Sequence, residues 1–292
     1  MEKNDSYHQM NIWMEQVNTS FSWNRFCDEI RHENRFFPHS DFLGFLDELY
    51  DNYRVLLSAT ENDTLYRARC IHTDNIKKIK ADQRLEGFDK KDSGEPPTGK
   101  SFSGRANPAG VSSLYLASDI ETACAEVQPV PSQLISVASF KLKADTTIID
   151  LCKVKVQEST KYSQAEMNSA IRKVMFEFAR PQDKENDIDY AVSQYIAAFF
   201  MQKGVQGIKY ISSHNPVTGS FNLVLFDSTI AECTSEHGTV CRCIAEEKQY
   251  QILQSGLPDD RKTVNSRNII GVLSDEDIEK IRRNILHFVK GK

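Results

Sequence analysis

Apolar residues recur along this chain first at helical and then at strand spacing. Trp23, Phe26, Cys27 and Ile30 stand at i, i+3, i+4 and i+7 and predict a helix, with Ser22 as its N-cap. Pro38 and Ser40 interrupt, and Phe42, Phe45, Leu46, Leu49 and Tyr53 form a second stripe. Residues 1–62 therefore read as a small helical N-terminal domain, a hairpin packed as a cap on the main domain. From Leu65 the pattern shortens to strands: Leu65–Arg69, then 112–117, 134–142 and 146–151, with a polar loop over 72–103 that reads as a lid or binding loop. Ser118-Asp119-Ile120-Glu121 has the capping-box spacing and predicts a short helix from Ser118. Ser163-Gln164-Ala165-Glu166 predicts another, with Met167, Ile171, Val174 and Phe178 on its buried face and Pro181 as its stop. A third helix spans about 187–203, striped by Ile188, Ala191, Val192, Tyr195, Ile196 and Phe199 and closed by Gly204. Strands at 207–212 and 221–226 come next, and a helix over about 275–289 ends the chain. No internal repeat is evident, and helices first, then mixed elements, is the order of an α+β protein.

Composition narrows the class. With 292 residues, 40% apolar and 26% charged, the chain is long enough for one large domain or two unequal ones with a full core. A net charge of -5 argues against general nucleic-acid binding, which calls for a basic face. The first residues lack the apolar stretch of a secretory signal, and no run is long enough to span a membrane. Seven scattered cysteines fit reduced thiols in a cytoplasm better than a disulfide framework.

Gly94-Glu95-Pro96-Pro97-Thr98-Gly99-Lys100-Ser101 matches the phosphate-binding P-loop pattern letter for letter. Its context excludes the motif. No apolar strand precedes it, Gly104, Pro108 and Gly110 forbid a helix after it, and the paired prolines remove N–H donors. Arg105 is more informative, because Gly104, Pro108 and Gly110 frame a guanidinium whose planar fork suits a phosphate or diphosphate. Tyr115 comes next on the strand Leu114-Tyr115-Leu116-Ala117, where it can face the core or stack on a ligand ring. Glu126 flanks the apolar face of the helix from Ser118, where a carboxylate can enter a cleft and stabilise an oxocarbenium-like sugar. Cys233, His237, Cys241 and Cys243 number enough for a zinc ion. Their spacing matches none of the common structural patterns, so free thiols and no metal are expected. Ser212-Ser213-His214 ends a strand as polar residues that can face the same cleft.

These segments together resemble the RES domain family, named for an arginine, a glutamate and a serine. The resemblance covers about residues 64–227 and rests on Leu65-Tyr66-Arg67-Ala68, the Pro96-Pro97 loop, Gly104 to Gly110, Leu114 to Ala117, Thr122 to Val127, Tyr210 to Ser213 and Asn222 to Phe226. The helical first residues resemble the extension that longer family members carry. The resemblance implies an α+β fold like that of the ADP-ribosyltransferases, with a mixed β core and flanking helices. Its division is a catalytic domain at 63–230 and a C-terminal extension at 231–292 packed on it. It further implies NAD as substrate, cleavage of the nicotinamide–ribose bond, and a place among the toxins of bacterial toxin–antitoxin pairs. Carried over by position, Arg105, Tyr115, Glu126 and Ser212 are the catalytic set. Arg67, Asn107 and Ser213 join Arg105 and Tyr115 in holding the dinucleotide. Water as acceptor gives ADP-ribose and inorganic phosphate gives a phosphorylated ADP-ribose; the residues do not choose. An antitoxin protein is the implied partner, with a homo-oligomer as a further option. Transfer of ADP-ribose to a protein, and nucleotide binding without turnover, are the alternatives.

Overall fold

A computed structural model describes residues 2–60, 64–72, 86–97, 99–153, 159–180, 187–215, 219–244 and 250–254. The closing helix expected over 275–289 and the stop at Pro181 lie outside them. Helix α1 runs unbroken over Glu2–Asp28 and ends in a π-helical turn, Glu29–Glu33. Ser22 is therefore interior to the helix and is no cap. No glycine or proline stands between residues 2 and 28 to break it earlier. Helix α2, Phe42–Tyr53, buries Phe42, Phe45, Leu46, Leu49 and Tyr53, the stripe the spacing predicts. It passes directly into strand β1, Arg54–Leu57, which pairs antiparallel with β5, Thr146–Asp150.

Strands β2 (Leu65–Cys70), β3 (Leu114–Ala117) and β4 (Leu134–Leu142) and the short helices α3 (Lys90–Ser93) and α4 (Ile120–Glu126) complete the first half. Helices α5 (Gln164–Ala179) and α6 (Asp187–Gln202) lead to β6 (Gly207–Tyr210) and β7 (Asn222–Leu225). Strands β8 (Ala231–Cys233), β9 (Thr239–Cys243) and β10 (Tyr250–Gln254) come last. All join one mixed sheet in the order β1-β5-β6-β7-β3-β2-β4-β9-β10, with β8 against β4. Only β5 and β6 pair in parallel among the described strands, and α5 and α6 form the crossover that such a pair requires. The α+β class expected from the element order is the observed one.

Alternation along the central strands sorts the two faces. Leu114, Leu116, Leu223 and Leu225 pack with Phe140 and Ile148 on one side. On the other, Ile208 and Val224 pack with Phe26, Phe42, Val174, Phe178 and Ile196, so the N-terminal helices and α5 and α6 share a core with the sheet. Helix α5 starts at the predicted capping box, with Ser163 accepting from Glu166 N and the Glu166 side chain returning to Ser163 N. Helix α4 starts one residue later than the spacing predicts. Its cap is Asp119, which accepts from Thr122 N at 2.7 Å, because the Ser118 hydroxyl is used to accept from Phe221 N at 3.0 Å. Gly204 closes α6 at φ +85, the left-handed conformation expected of a C′ glycine.

The sheet is weakest between β2 and β3, which share a single residue pair, Tyr66 opposite Ala117. Beyond that pair β2 continues against β4 alone and β3 against β7 alone, so the two strands part. Among the described residues no helix is long and apolar enough to cross a membrane.

Candidate active site

The loop before β3 holds Arg105 in a fixed frame. Gly104 N donates to Asn107 O at 2.9 Å, and Gly110, at φ +85, donates its N–H to Ser101 O at 2.9 Å. Asn107 organises the interior of this loop. Its amide donates to the carbonyls of Phe102, Pro108 and Val111, and its Oδ1 accepts from the Tyr115 hydroxyl at 2.7 Å. With 3% of its surface exposed and both ends of its side-chain amide engaged, Asn107 shapes the loop from within. The Tyr115 hydroxyl in turn accepts from Ala106 N at 3.0 Å. Gly104 is required here by proximity, since a Cβ on it would stand 2.7 Å from both Asn107 Oδ1 and the Tyr115 hydroxyl.

Arg105 projects from this frame toward the end of β6. Its Nη2 donates to Ser213 Oγ at 3.2 Å, while its Nη1 is buried without an acceptor among the described residues. A buried guanidinium nitrogen with nothing to donate to is costly, and an anionic ligand would relieve that cost.

Glu126, at the last turn of α4, is held from the sheet. Ser212 Oγ donates to its Oε1 at 2.6 Å and Asn222 Nδ2 to the same oxygen at 2.7 Å. The backbone leaves β6 after Tyr210, one reason the strand is shorter than the sequence predicts. The N–H groups of His214 and Asn215 both turn back to donate to Ser212 Oγ, at 3.2 and 3.1 Å. Ser212 is wholly buried and its hydroxyl is fully engaged, whereas Ser213 meets the arginine.

Tyr210 ends β6 opposite Asn222, in the core cluster against which Tyr115 packs. Burial, and then the charge on Glu126, push its phenol well above the ordinary tyrosine range, with Arg105 acting in the opposite sense. Burial likewise raises the Tyr115 phenol, offset by the Ala106 N–H and by Arg105. The structure thus brings Arg105, Tyr115, Glu126, Ser212 and Ser213 into one neighbourhood, linked through the adjacent serines and the arginine loop. Arg67 takes no part in these hydrogen bonds. Its Nη1 donates to Ser93 O at 2.9 Å, beside Arg69 bonded to Gly94 O at 2.7 Å, on the stretch of β2 that has left β3. Burial, reinforced by the charge of Arg69 and opposed by Glu95, lowers the Arg67 guanidinium to about 9. No carboxylate lies within ion-pair distance of either arginine among the described residues, so Glu95 and Asp92 act on this second basic spot only from further off.

Three contributors carried no assignment in the sequence. Gln194 on α6 donates to Ser103 Oγ, Gly104 O and Asn107 O, each at 2.9 Å, and so ties the arginine loop to the helix. Asn222 begins a strand whose four residues are all buried, and Tyr210 ends another. The available signal was a long amide inside the apolar run of α6 and a short one at the head of a buried strand, since buried amides require partners.

The P-loop look-alike neither leaves a strand nor enters a helix. The turn α3 precedes it, and Gly99 N donates to Gly110 O within the arginine loop. The cysteines considered for zinc lie dispersed. Cys233 donates to Ser235 O at 3.5 Å and Cys243 to Pro129 O at 4.0 Å, while His237 lies 3.8 Å from Glu86. Among the described residues no three side chains of metal-binding type are gathered.

A family model described as RES domain matches residues 65–242. No curated protein matches the chain. Among solved structures, the crystal structure of the M. tuberculosis MbcT–MbcA toxin–antitoxin complex matches at 15% identity and a TM-score of 0.37, covering 68% of this chain and 92% of that chain.

Proposed function

The chain belongs to the RES domain family, and we propose that it is an enzyme that consumes NAD by cleaving the bond between nicotinamide and ribose. The observation that carries this reading is that two adjacent serines join the two charged groups: Ser213 meets Arg105, whose Nη1 is buried and unpaired among the described residues, and Ser212 holds Glu126. Arg105 offers Nη1 to the diphosphate as a charge-assisted donor. Ser213 keeps the other arm of the guanidinium in place and faces the ligand. Tyr115 walls the nicotinamide end.

Breaking the glycosidic bond leaves positive charge on the ribose, and a fixed carboxylate stabilises that charge without having to reorganise. Glu126 has that role. Its carboxylate is turned by two donors on one oxygen, and the other oxygen is available to the sugar and to the incoming nucleophile. The nucleophile is water or inorganic phosphate. Arg67 and Arg69 form a second anion-attracting spot and extend the grip on the dinucleotide. We take the protein to be the toxin of a toxin–antitoxin pair acting in the cytoplasm, a reading that rests on the family.

The test is incubation of the purified protein with labelled NAD, with and without phosphate. Free nicotinamide with no label on macromolecules supports the proposal, and phosphate dependence identifies the acceptor. Label on protein moves the reading to ADP-ribose transfer. Binding without release of nicotinamide makes the protein a nucleotide-binding module. Glu126→Gln is expected to keep NAD binding and to lower turnover by roughly a hundred- to ten-thousand-fold.

A further inference from the structure

We propose that Asn222 is the residue that positions Glu126, an assignment that rests on the role proposed for Glu126 as the catalytic carboxylate. Asn222 opens β7, is 4% exposed, and donates from its side chain to Glu126 Oε1 at 2.7 Å. Ser212 reaches the same oxygen at 2.6 Å. Two donors on one carboxylate oxygen fix the orientation of the group, because tilting it away would break both charge-assisted bonds at once. Oε2 takes no hydrogen bond among the described residues, and it is the oxygen left to face the reacting sugar.

The strand register explains how an asparagine comes to do this. Asn222 lies opposite Ala117 of β3 on one side and Tyr210 of β6 on the other. It therefore shares the face of Tyr115 and Tyr210 and lies beneath the end of α4 that carries Glu126. A purely structural choice at a buried strand position would be apolar or β-branched, and asparagine is disfavoured there. The amide is spent on the carboxylate and not on the backbone. Across the same pair of strands, Ser212 supplies the second donor from the segment after β6. The two polar residues thus act as one clamp, and α4 needs no charged partner to hold Glu126.

The expected effect of Asn222→Ala is a fall in kcat on the order of a hundredfold, the scale of a displaced catalytic group, with KM for NAD within a fewfold of the parent. In a Glu126→Ala background, Asn222→Ala should change the residual rate no further. A fall in kcat that persists at full size in that background, or a rise in KM alone, would overturn the assignment. A second measurement does not depend on turnover. Asn222→Asp places two carboxylates within hydrogen-bond reach, so they share a proton, and melting temperature should drop as pH rises and the pair ionises. Glu126→Gln combined with Asn222→Asp should lack that drop. Among the described residues the other titratable and charged groups near this pocket, Tyr210, Tyr115, Tyr190, Arg105 and His214, are the same in both variants. A drop present in both variants, or in neither, sinks the contact. A parent protein that leaves NAD intact refutes the functional reading alone, and the clamp is then judged by melting.

Discussion

Gln194 and Gly104 are 90 residues apart, and the side-chain amide of the first donates to the carbonyl of the second at 2.9 Å. Through this bond and its companions to Ser103 and Asn107, α6 holds the arginine loop from outside while Asn107 holds it from within. Replacement of Gln194 by leucine keeps the bulk and removes the donor. The expected result is a KM for NAD raised roughly tenfold, since losing the donor shared by these three bonds is worth about 1–3 kcal/mol, with kcat changed less. Steady-state kinetics with a melting curve checks this; equal losses in kcat and KM would place Gln194 in the chemistry instead.

Gly104→Ala should act on the same loop by overcrowding. The new methyl would stand 2.7 Å from Asn107 Oδ1 and from the Tyr115 hydroxyl, and those two are bonded to each other. Neither can retreat without breaking that bond, so destabilisation of about 1–3 kcal/mol is expected, together with weakened NAD binding. Tyr115→Phe removes one of the obstructing atoms. Combined with Gly104→Ala it should recover part of the lost stability, and denaturant midpoints of the two single variants and the double variant decide the point.

Much of this architecture was legible in the chain. The Ser163 box and the α2 stripe are local signals, and local signals survive folding well. Leu114-Tyr115-Leu116-Ala117 also reads correctly, two leucines toward one apolar cluster and the tyrosine away from it. Ser22 failed because a good cap residue is only a cap where a helix has reason to start, and α1 has none at that point. Ser118 failed because the strand beside it claimed its hydroxyl through Phe221. The role of Asn107 was hidden for the same kind of reason: a glycine-framed loop announces that something is held, without saying that the asparagine is spent holding it. Gln194 and Asn222 owe their places to contacts across 87 to 96 residues, which no spacing pattern encodes.

The two adjacent serines should separate cleanly. Ser212 donates to Glu126, and Ser213 accepts from Arg105. Ser212→Ala is therefore expected to lower kcat and leave NAD binding nearly intact, whereas Ser213→Ala weakens binding and leaves the chemical step nearer the parent. Titration calorimetry on both variants, each combined with Glu126→Gln to suppress turnover, gives the binding side of the comparison. Reversed assignments would mean that Ser212 reaches the ligand after all.

Arg67 offers a trade between stability and binding. Its guanidinium is partly buried beside Arg69 with a carbonyl as its acceptor and no carboxylate in contact among the described residues, and that burial lowers it to about 9. A cation held that way costs the fold something until an anion arrives. Arg67→Met should hold or raise the melting temperature without ligand and abolish most of the upward shift that pyrophosphate gives the parent protein. A melting temperature that falls, with the pyrophosphate shift intact, would make Arg67 a structural tie to Ser93 and nothing more.

Alkaline titration probes the tyrosine pair at the centre of the site. Tyr115 and Tyr210 are both raised above the ordinary value of about 10, by burial first, and in Tyr210 next by the charge on Glu126. Between that ordinary value and the raised ones, the folded protein keeps protons that the unfolded chain has lost. Stability from these groups is thus complete below about pH 10 and declines as pH rises from there to the raised values. Tyr210→Phe removes the ionisable group while keeping the ring. Its melting temperature should fall less steeply than that of the parent above pH 10. Glu126→Gln lowers the Tyr210 phenol by removing the charge, so it should shorten the pH range of the decline and reduce its total size. Phenolate absorbance in the folded protein supplies the direct check. If Tyr210 ionises at the value of a free tyrosine, its hydroxyl is in water and is not buried near the charges of Glu126 and Arg105.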